Sequence, residues 1–87
     1  MTDRAALTAS FLDIVKEFKG EEFVAPAPGR DPATLHLRDD LAMDSLDLIN
    51  FLFRIEEDHG VGIAGKEIEE KNLLILGNLV GHVLANR

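Results

Sequence analysis

Asp39-Asp40-Leu41-Ala42-Met43-Asp44-Ser45-Leu46-Asp47 runs straight into Leu48-Ile49-Asn50-Phe51-Leu52-Phe53-Arg54-Ile55-Glu56-Glu57-Asp58-His59-Gly60. The first part reads as an acidic turn and the second as an amphipathic helix. At about 100° per residue, Leu46, Leu48, Ile49, Leu52, Phe53 and Ile55 form one broad apolar arc. Asp47, Asn50, Arg54, Glu57 and Asp58 lie opposite, with Phe51 at the edge beside that polar strip. Asp44 or Ser45 can cap the start, and Asp47 sits in the first turn, where the helix dipole favours a carboxylate. Gly60 ends the helix. A serine at the mouth of a helix offers a modifying enzyme an exposed hydroxyl. The unpaired N–H groups of that first turn also help to hold a phosphate. Taken alone, Asp44-Ser45-Leu46 reads more readily as a capping sequence, since Asp and Ser are among the commonest caps.

Outward from this helix the chain reads as further helices with breaks. Leu7, Phe11, Ile14, Val15 and Phe18 recur at helical spacing and predict a helix from about Asp3 to Lys19. Thr2 or Asp3 can cap it, Gly20 is a natural stop, and Lys16 and Lys19 complement its dipole. Pro26, Pro28, Gly29 and Pro32 forbid a continuous helix between Gly20 and about Arg38. Phe23, Val24, Leu35 and Leu37 are expected to tack that long crossing onto the core. Val61 to Gly65 is a short extended link, and Lys66 to Lys71 makes one helical turn or two. Leu73 to Asn86 reads as the last helix, with Leu76, Leu79, Val80 and Val83 facing inward. Gly77, Gly81 and Ala85 form a stripe where another helix can approach closely. The expected fold is therefore all-α: a single domain over residues 1–87, built as a small four-helix bundle of three long helices and one short one, with a long loop between helices 1 and 2.

Composition narrows the function. A chain of 87 residues buries a modest core and has little room for a deep pocket. It has no Cys, hence no disulfide, thiolate nucleophile or Cys-based zinc site, which suits a cytoplasmic protein. No run of about 18 apolar residues predicts a membrane span, and the N-terminus lacks a signal-peptide core. The net charge of −7 is unfavourable for nucleic acid. From Asp39 to Glu70 ten acids face only Arg54 and Lys66. Such a field steers basic partners, and it also simply keeps a small domain soluble.

The segment Asp40-Leu41-Ala42-Met43-Asp44-Ser45-Leu46-Asp47, followed by Ile55-Glu56-Glu57-Asp58-His59-Gly60-Val61-Gly62-Ile63, resembles the acyl carrier protein family. The resemblance is strongest over Asp39 to Ile63 and extends more weakly, through helix order and spacing, over nearly the whole chain. It implies that Ser45 carries 4′-phosphopantetheine, delivered from coenzyme A by a phosphopantetheinyl transferase, and that the arm's thiol holds an acyl group as a thioester. A Cys-free chain would then do thiol chemistry through its cofactor. It further implies that Asp44 and Leu46 flank the attachment point. Met43 and Leu46 would give partners a small apolar contact, and Asp47, Glu56 and Glu57 would meet basic docking patches on acyl-loading and acyl-processing enzymes. Ile63 would border the acyl cavity. The expected protein is a monomeric carrier and not an enzyme, serving a fatty-acid, polyketide or related pathway. The chain departs from the family pattern at Ala42, which replaces a turn glycine, and at Asn50 and Arg54, which interrupt the acidic face. Gly62-Ile63-Ala64 also lacks the usual proline, and the run Asn72 to Leu76 is unusually apolar. These departures point to a dedicated carrier rather than a housekeeping one.

Other chemistry finds little support. Ser45 with His36 or His59 lacks the strained elbow and oxyanion loop of a hydrolase. A calcium loop starting at Asp39 would put Asp44 and Asn50 where Gly and Glu are required. His36, His59 and His82 share no metal-ligand spacing. Glu56 and Glu57 are adjacent on a helix and diverge. Two alternatives stay open: an aminoacyl or peptidyl carrier with the same arm, which Asp before the serine disfavours, and an acidic helical interaction domain in which Ser45 is only a cap.

Overall fold

Leu7, Phe11, Ile14 and Val15 share one helical face, and the core begins on it. The computed structural model describes residues 4–23 and 27–87. The cap expected of Thr2 or Asp3, the packing expected of Val24 and the break at Pro26 lie outside them. Helix α1 (Arg4–Lys19) buries all four of those side chains. Helix α2 (Ser45–His59), α3 (Gly65–Glu70) and α4 (Leu76–Asn86) follow, with single 3₁₀ turns at Gly20–Glu22 and Pro32–Thr34. The described residues are 67% helical and contain no strand, so the class is all-α. Among them no helix is long and apolar enough to cross a membrane.

The rotation of α2 differs from the expected arc. Phe51 is fully buried rather than at the edge of a polar strip, and Ile55 is buried with it. Leu46, Ile49 and Phe53 are 66%, 50% and 61% exposed. The apolar positions of α2 span more of its circumference than one neighbouring surface can cover. They divide into a stripe of Leu48, Phe51, Leu52 and Ile55 facing the core and a stripe of Leu46, Ile49 and Phe53 facing out. Phe51 wins the core position because it meets Phe11 edge to face, with ring centroids 5.8 Å apart and planes at 86°. Such a pair contributes about 0.5–1.5 kcal/mol beyond its buried area. His59, one turn after Ile55, also sets its ring edge-on to Phe11 at 5.7 Å.

The long connection is held by backbone pairing. Leu37 N–H donates to Leu74 O at 2.8 Å, and Leu76 N–H donates to Leu35 O at 2.9 Å. His36 and Ile75 thereby form an isolated antiparallel bridge. Leu35 and Leu37 are buried as expected. This pairing is why α4 starts at Leu76 and not at Leu73. The apolar run before it is used as a turn, with Leu73 buried and Ile75 extended, in which Leu74 O bonds the loop. Asn72, at φ +56°, turns the chain into that segment.

The small-residue stripe on α4 has a different neighbour from the one expected. At Gly77 the Pro32–Thr34 turn packs directly on the helix. A Cβ there would lie 2.7 Å from Ala33 O and 2.8 Å from Ala33 Cβ. Arg4 of α1 reaches over Gly81 and donates from Nη2 to Gly77 O at 2.8 Å. Ala85 is exposed. Gly77→Ala therefore meets backbone that cannot yield. It should lower stability by about 1–3 kcal/mol despite the better helix propensity of Ala. Gly81→Ala, which meets a side-chain guanidinium at 3.0 Å rather than backbone, should cost less. Denaturant melts followed by circular dichroism read both; a Gly77→Ala protein as stable as the parent would contradict this packing.

Candidate functional site

Two acids cap α2 between them. Asp44 is the N-cap: its Oδ1 accepts Asp47 N–H at 2.8 Å. Asp47 Oδ2 reciprocates by accepting Asp44 N–H at 3.3 Å. This reciprocal box satisfies the first orphan donors of the helix without using Ser45. Ser45 is the first helical residue, and it is exposed. Its hydroxyl has no hydrogen-bond partner among the described residues, and neither do the backbone N–H groups of Ser45 and Leu46. A hydroxyl with no structural duty thus stands beside two free backbone donors at the positive end of a helix. That arrangement suits an ester to a phosphate-bearing group.

The turn that delivers Ser45 is tied to the body at several points. Leu41 and Met43 are buried, and Met43 N–H donates to Leu37 O at 3.1 Å. Between them Ala42 adopts φ +55°, a left-handed conformation that costs a residue with a Cβ about 1–2 kcal/mol. The Lys19 ammonium donates to Ala42 O at 2.9 Å and to Asp47 Oδ2 at 3.3 Å, so α1 grips the chain on both sides of Ser45. Further back, Arg30 pairs bidentately with Asp40, Nη1 to Oδ1 at 3.0 Å and Nη2 to Oδ2 at 2.9 Å. Asp40 Oδ2 also accepts His36 N–H at 2.8 Å. That backbone bond first, and the Arg30 guanidinium second, hold the Asp40 carboxyl below the ordinary carboxylate range. His36 Nδ1 accepts the N–H groups of Arg38 and Asp39 at 3.2 and 3.1 Å, which closes the loop.

The other expected site residues are scattered around this centre. Asp44 is at the cap and Leu46 is exposed beside Ser45. Met43 is a correction: at 2% exposed it belongs to the core and offers a partner no surface, because the turn needs an apolar anchor there. Asp47 is engaged by Lys19, while Glu56 and Glu57 are exposed and form no ion pair among the described residues. Ile63 is half-buried and lines an open groove of about 260 Å³ with Ile49, Leu52, Phe53, Glu56 and Ile68. A larger groove of about 440 Å³, between α1 and the Pro32–Thr34 turn, is lined by Arg4, Thr8, Leu12, Pro32 and Ala33 and by nothing from the Ser45 segment. Among the described residues no group of three or more His, Asp or Glu could hold a metal ion.

Sequence reading missed Lys19 and Arg30. Lys19 at a helix end reads as a dipole partner, and only the approach of α1 to the turn shows where its ammonium lands. The left-handed φ at Ala42 did leave a trace in the sequence, since the resemblance implied a glycine there. Two expectations follow. Ala42→Gly should raise stability by about 0.5–1 kcal/mol in denaturant melts; a loss would contradict the left-handed turn. Asp40 has its carboxyl lowered in the folded state, so its stabilisation is present in full above the ordinary carboxylate range and is lost as pH falls through the folded value. The stability gap between the parent and Asp40→Asn should therefore be wide near about pH 6 and close below about pH 4. A gap independent of pH would refute the role of that charge.

No family model matches the chain, and neither a curated protein nor a solved structure matches it.

Proposed function

We propose that this chain is a discrete carrier protein that holds acyl intermediates on a 4′-phosphopantetheine arm esterified to Ser45. One observation carries the reading. Asp44 and Asp47 perform the capping of α2, which leaves an exposed Ser45 hydroxyl with no structural role. A serine that merely capped the helix would be expected to accept the N–H that Asp44 accepts here.

The residues present fit the group. Ser45 Oγ takes the phosphodiester, and the N–H groups of Ser45 and Leu46 are at hand for its phosphate oxygens. The arm would supply a thiol for thioester formation, a function that the Cys-free chain cannot provide itself. We read the helices as the four-helix bundle of such carriers, with the long first loop crossing to deliver Ser45. In this role the protein catalyses nothing. It raises the effective concentration of a tethered acyl group at each enzyme it meets, in a fatty-acid, polyketide or related pathway.

Intact mass after incubation with coenzyme A and a broad-specificity phosphopantetheinyl transferase tests the reading. The parent should gain one phosphopantetheine and Ser45→Ala none. A folded parent that gains nothing from several transferases would instead support an acidic interaction domain.

A further inference from the structure

Two neighbouring residues compete to cap α2. Asp44 and Ser45 are adjacent, and Asp and Ser rank close together as N-caps. With Asp44 at the cap, as here, Ser45 is the first helical residue and its hydroxyl takes no part in capping. With Ser45 at the cap the helix would start one residue later. Ser45 would then exchange helical for extended backbone, and its Oγ would accept an N–H of the first turn, from Asp47 or Leu48. Leu48 N–H, which now donates to Asp44 O at 3.0 Å, would lose that partner. The hydroxyl would be occupied by the helix itself and no longer presented.

The register that is adopted carries an electrostatic cost. Both members of its capping box are aspartates: Asp44 Oδ1 accepts Asp47 N–H at 2.8 Å, and Asp47 Oδ2 accepts Asp44 N–H at 3.3 Å. The box gathers two like charges into one helical turn, where like charges destabilise. The helix dipole offsets part of that repulsion. The Lys19 ammonium opposes the rest: it lies 3.3 Å from Asp47 Oδ2 and donates to Ala42 O at 2.9 Å, and its side chain is only 13% exposed. A serine cap involves no second carboxylate and has no need of that cation. Because the two caps are nearly equal, an ion pair of modest strength is enough to decide between them.

We propose that Lys19 is a positioning residue for the modification of Ser45: its ammonium selects the register in which Asp44, and not Ser45, caps α2, and so keeps the Ser45 hydroxyl available. The inference rests on the carrier reading of Ser45. Lys19 acts through Asp47 and the cap, not on the reacting atoms. Without it the chain divides between the two registers, and only the fraction capped by Asp44 offers a free hydroxyl to the modifying enzyme.

The test pairs two readouts: the rate of phosphopantetheine transfer to Ser45 from coenzyme A by a broad-specificity transferase, and the Cα and Cβ chemical shifts of Ser45, which separate helical from extended backbone. Both are read on folded protein, so that a change in overall stability does not enter. Lys19→Met should lower kcat about three- to fivefold and leave KM within about twofold, since the register alters the start of α2 and not its outer surface. The Ser45 shifts should move from helical towards extended values. Asp44→Asn keeps an equally good cap and removes one of the two charges. In that background, whatever its own rate, Lys19→Met should change kcat by less than about twofold and leave the shifts helical. Lys19→Arg, which keeps the cation, should match the parent in both readouts, and Lys19→Gln gives the same comparison should Lys19→Met fail to fold. A kcat indifferent to the loss of Lys19 would overturn the proposal. So would a loss of equal size in the Asp44→Asn background, or Ser45 shifts that stay helical while the rate falls; either would make Lys19 a clamp on the Ala42 turn alone. A parent that accepts no phosphopantetheine would overturn the carrier reading and the positioning role with it, while the chemical shifts, which need no modification, would still decide whether Lys19 sets the register.

Discussion

Phe11 and Phe51 meet edge to face at 5.8 Å between α1 and α2, and the rotation of α2 follows from that contact. With Phe51 seated on Phe11, Ile55 turns into the core one turn later, and the ring of His59 closes over Phe11 from the next. The same rotation turns Leu46, Ile49 and Phe53 to the outside and leaves Ser45 at the exposed start of the helix. Seating the other apolar stripe would have buried Phe53 and exposed Phe51. The outward surface of α2 is thus the complement of one aromatic contact.

The turn before Ser45 depends on polar groups as much as on burial. Leu35 and Leu37 sink into the core, yet their backbone groups need partners there, and Leu74 O and the Leu76 N–H at the start of α4 supply them at 2.8 and 2.9 Å. Asp40, Arg30 and His36 then close the loop on itself. Lys19 fastens Ala42, whose left-handed backbone is the local cost of reversing the chain just ahead of the helix. No buried side-chain nitrogen or oxygen among the described residues is left without a partner. A structure in which the capping acids, the loop and α1 all converge around one unemployed hydroxyl is well suited to presenting it.

The acids of this chain accordingly have two kinds of work. Asp40, Asp44 and Asp47 organise the turn and the helix start, each through backbone N–H groups as well as charge. Glu56 and Glu57 stand exposed and unpaired further along α2. The α3 segment is lightly anchored by comparison: it has no side-chain cap and buries no residue. Its Glu67 is held by His82 Nε2 at 3.2 Å, with Lys71 at 3.7 Å. The groove under Ile63 and Ile68 is therefore walled on one side by the firmly seated α2 and on the other by a short helix with few ties.

The sequence by itself determined the helical class, the extents of α1 and α2 within a residue or so, and the inward face of α1. Those features are written in local periodicity and in caps and breakers, which act over a few residues. The resemblance to carrier proteins, rather than periodicity, singled out Ser45 and marked Ala42 as standing where that family has a glycine. Tertiary structure alone decided which apolar stripe of α2 is buried, because two adjacent stripes satisfied the same periodicity and only Phe11 distinguished them. It also decided that Met43 is an anchor rather than a surface, and that the neighbour on Gly77 is a 3₁₀ turn. It paired Lys19 with Asp47, although the two lie 28 residues apart in sequence. Contacts of that kind depend on where distant segments come to rest, and helical spacing carries no record of it.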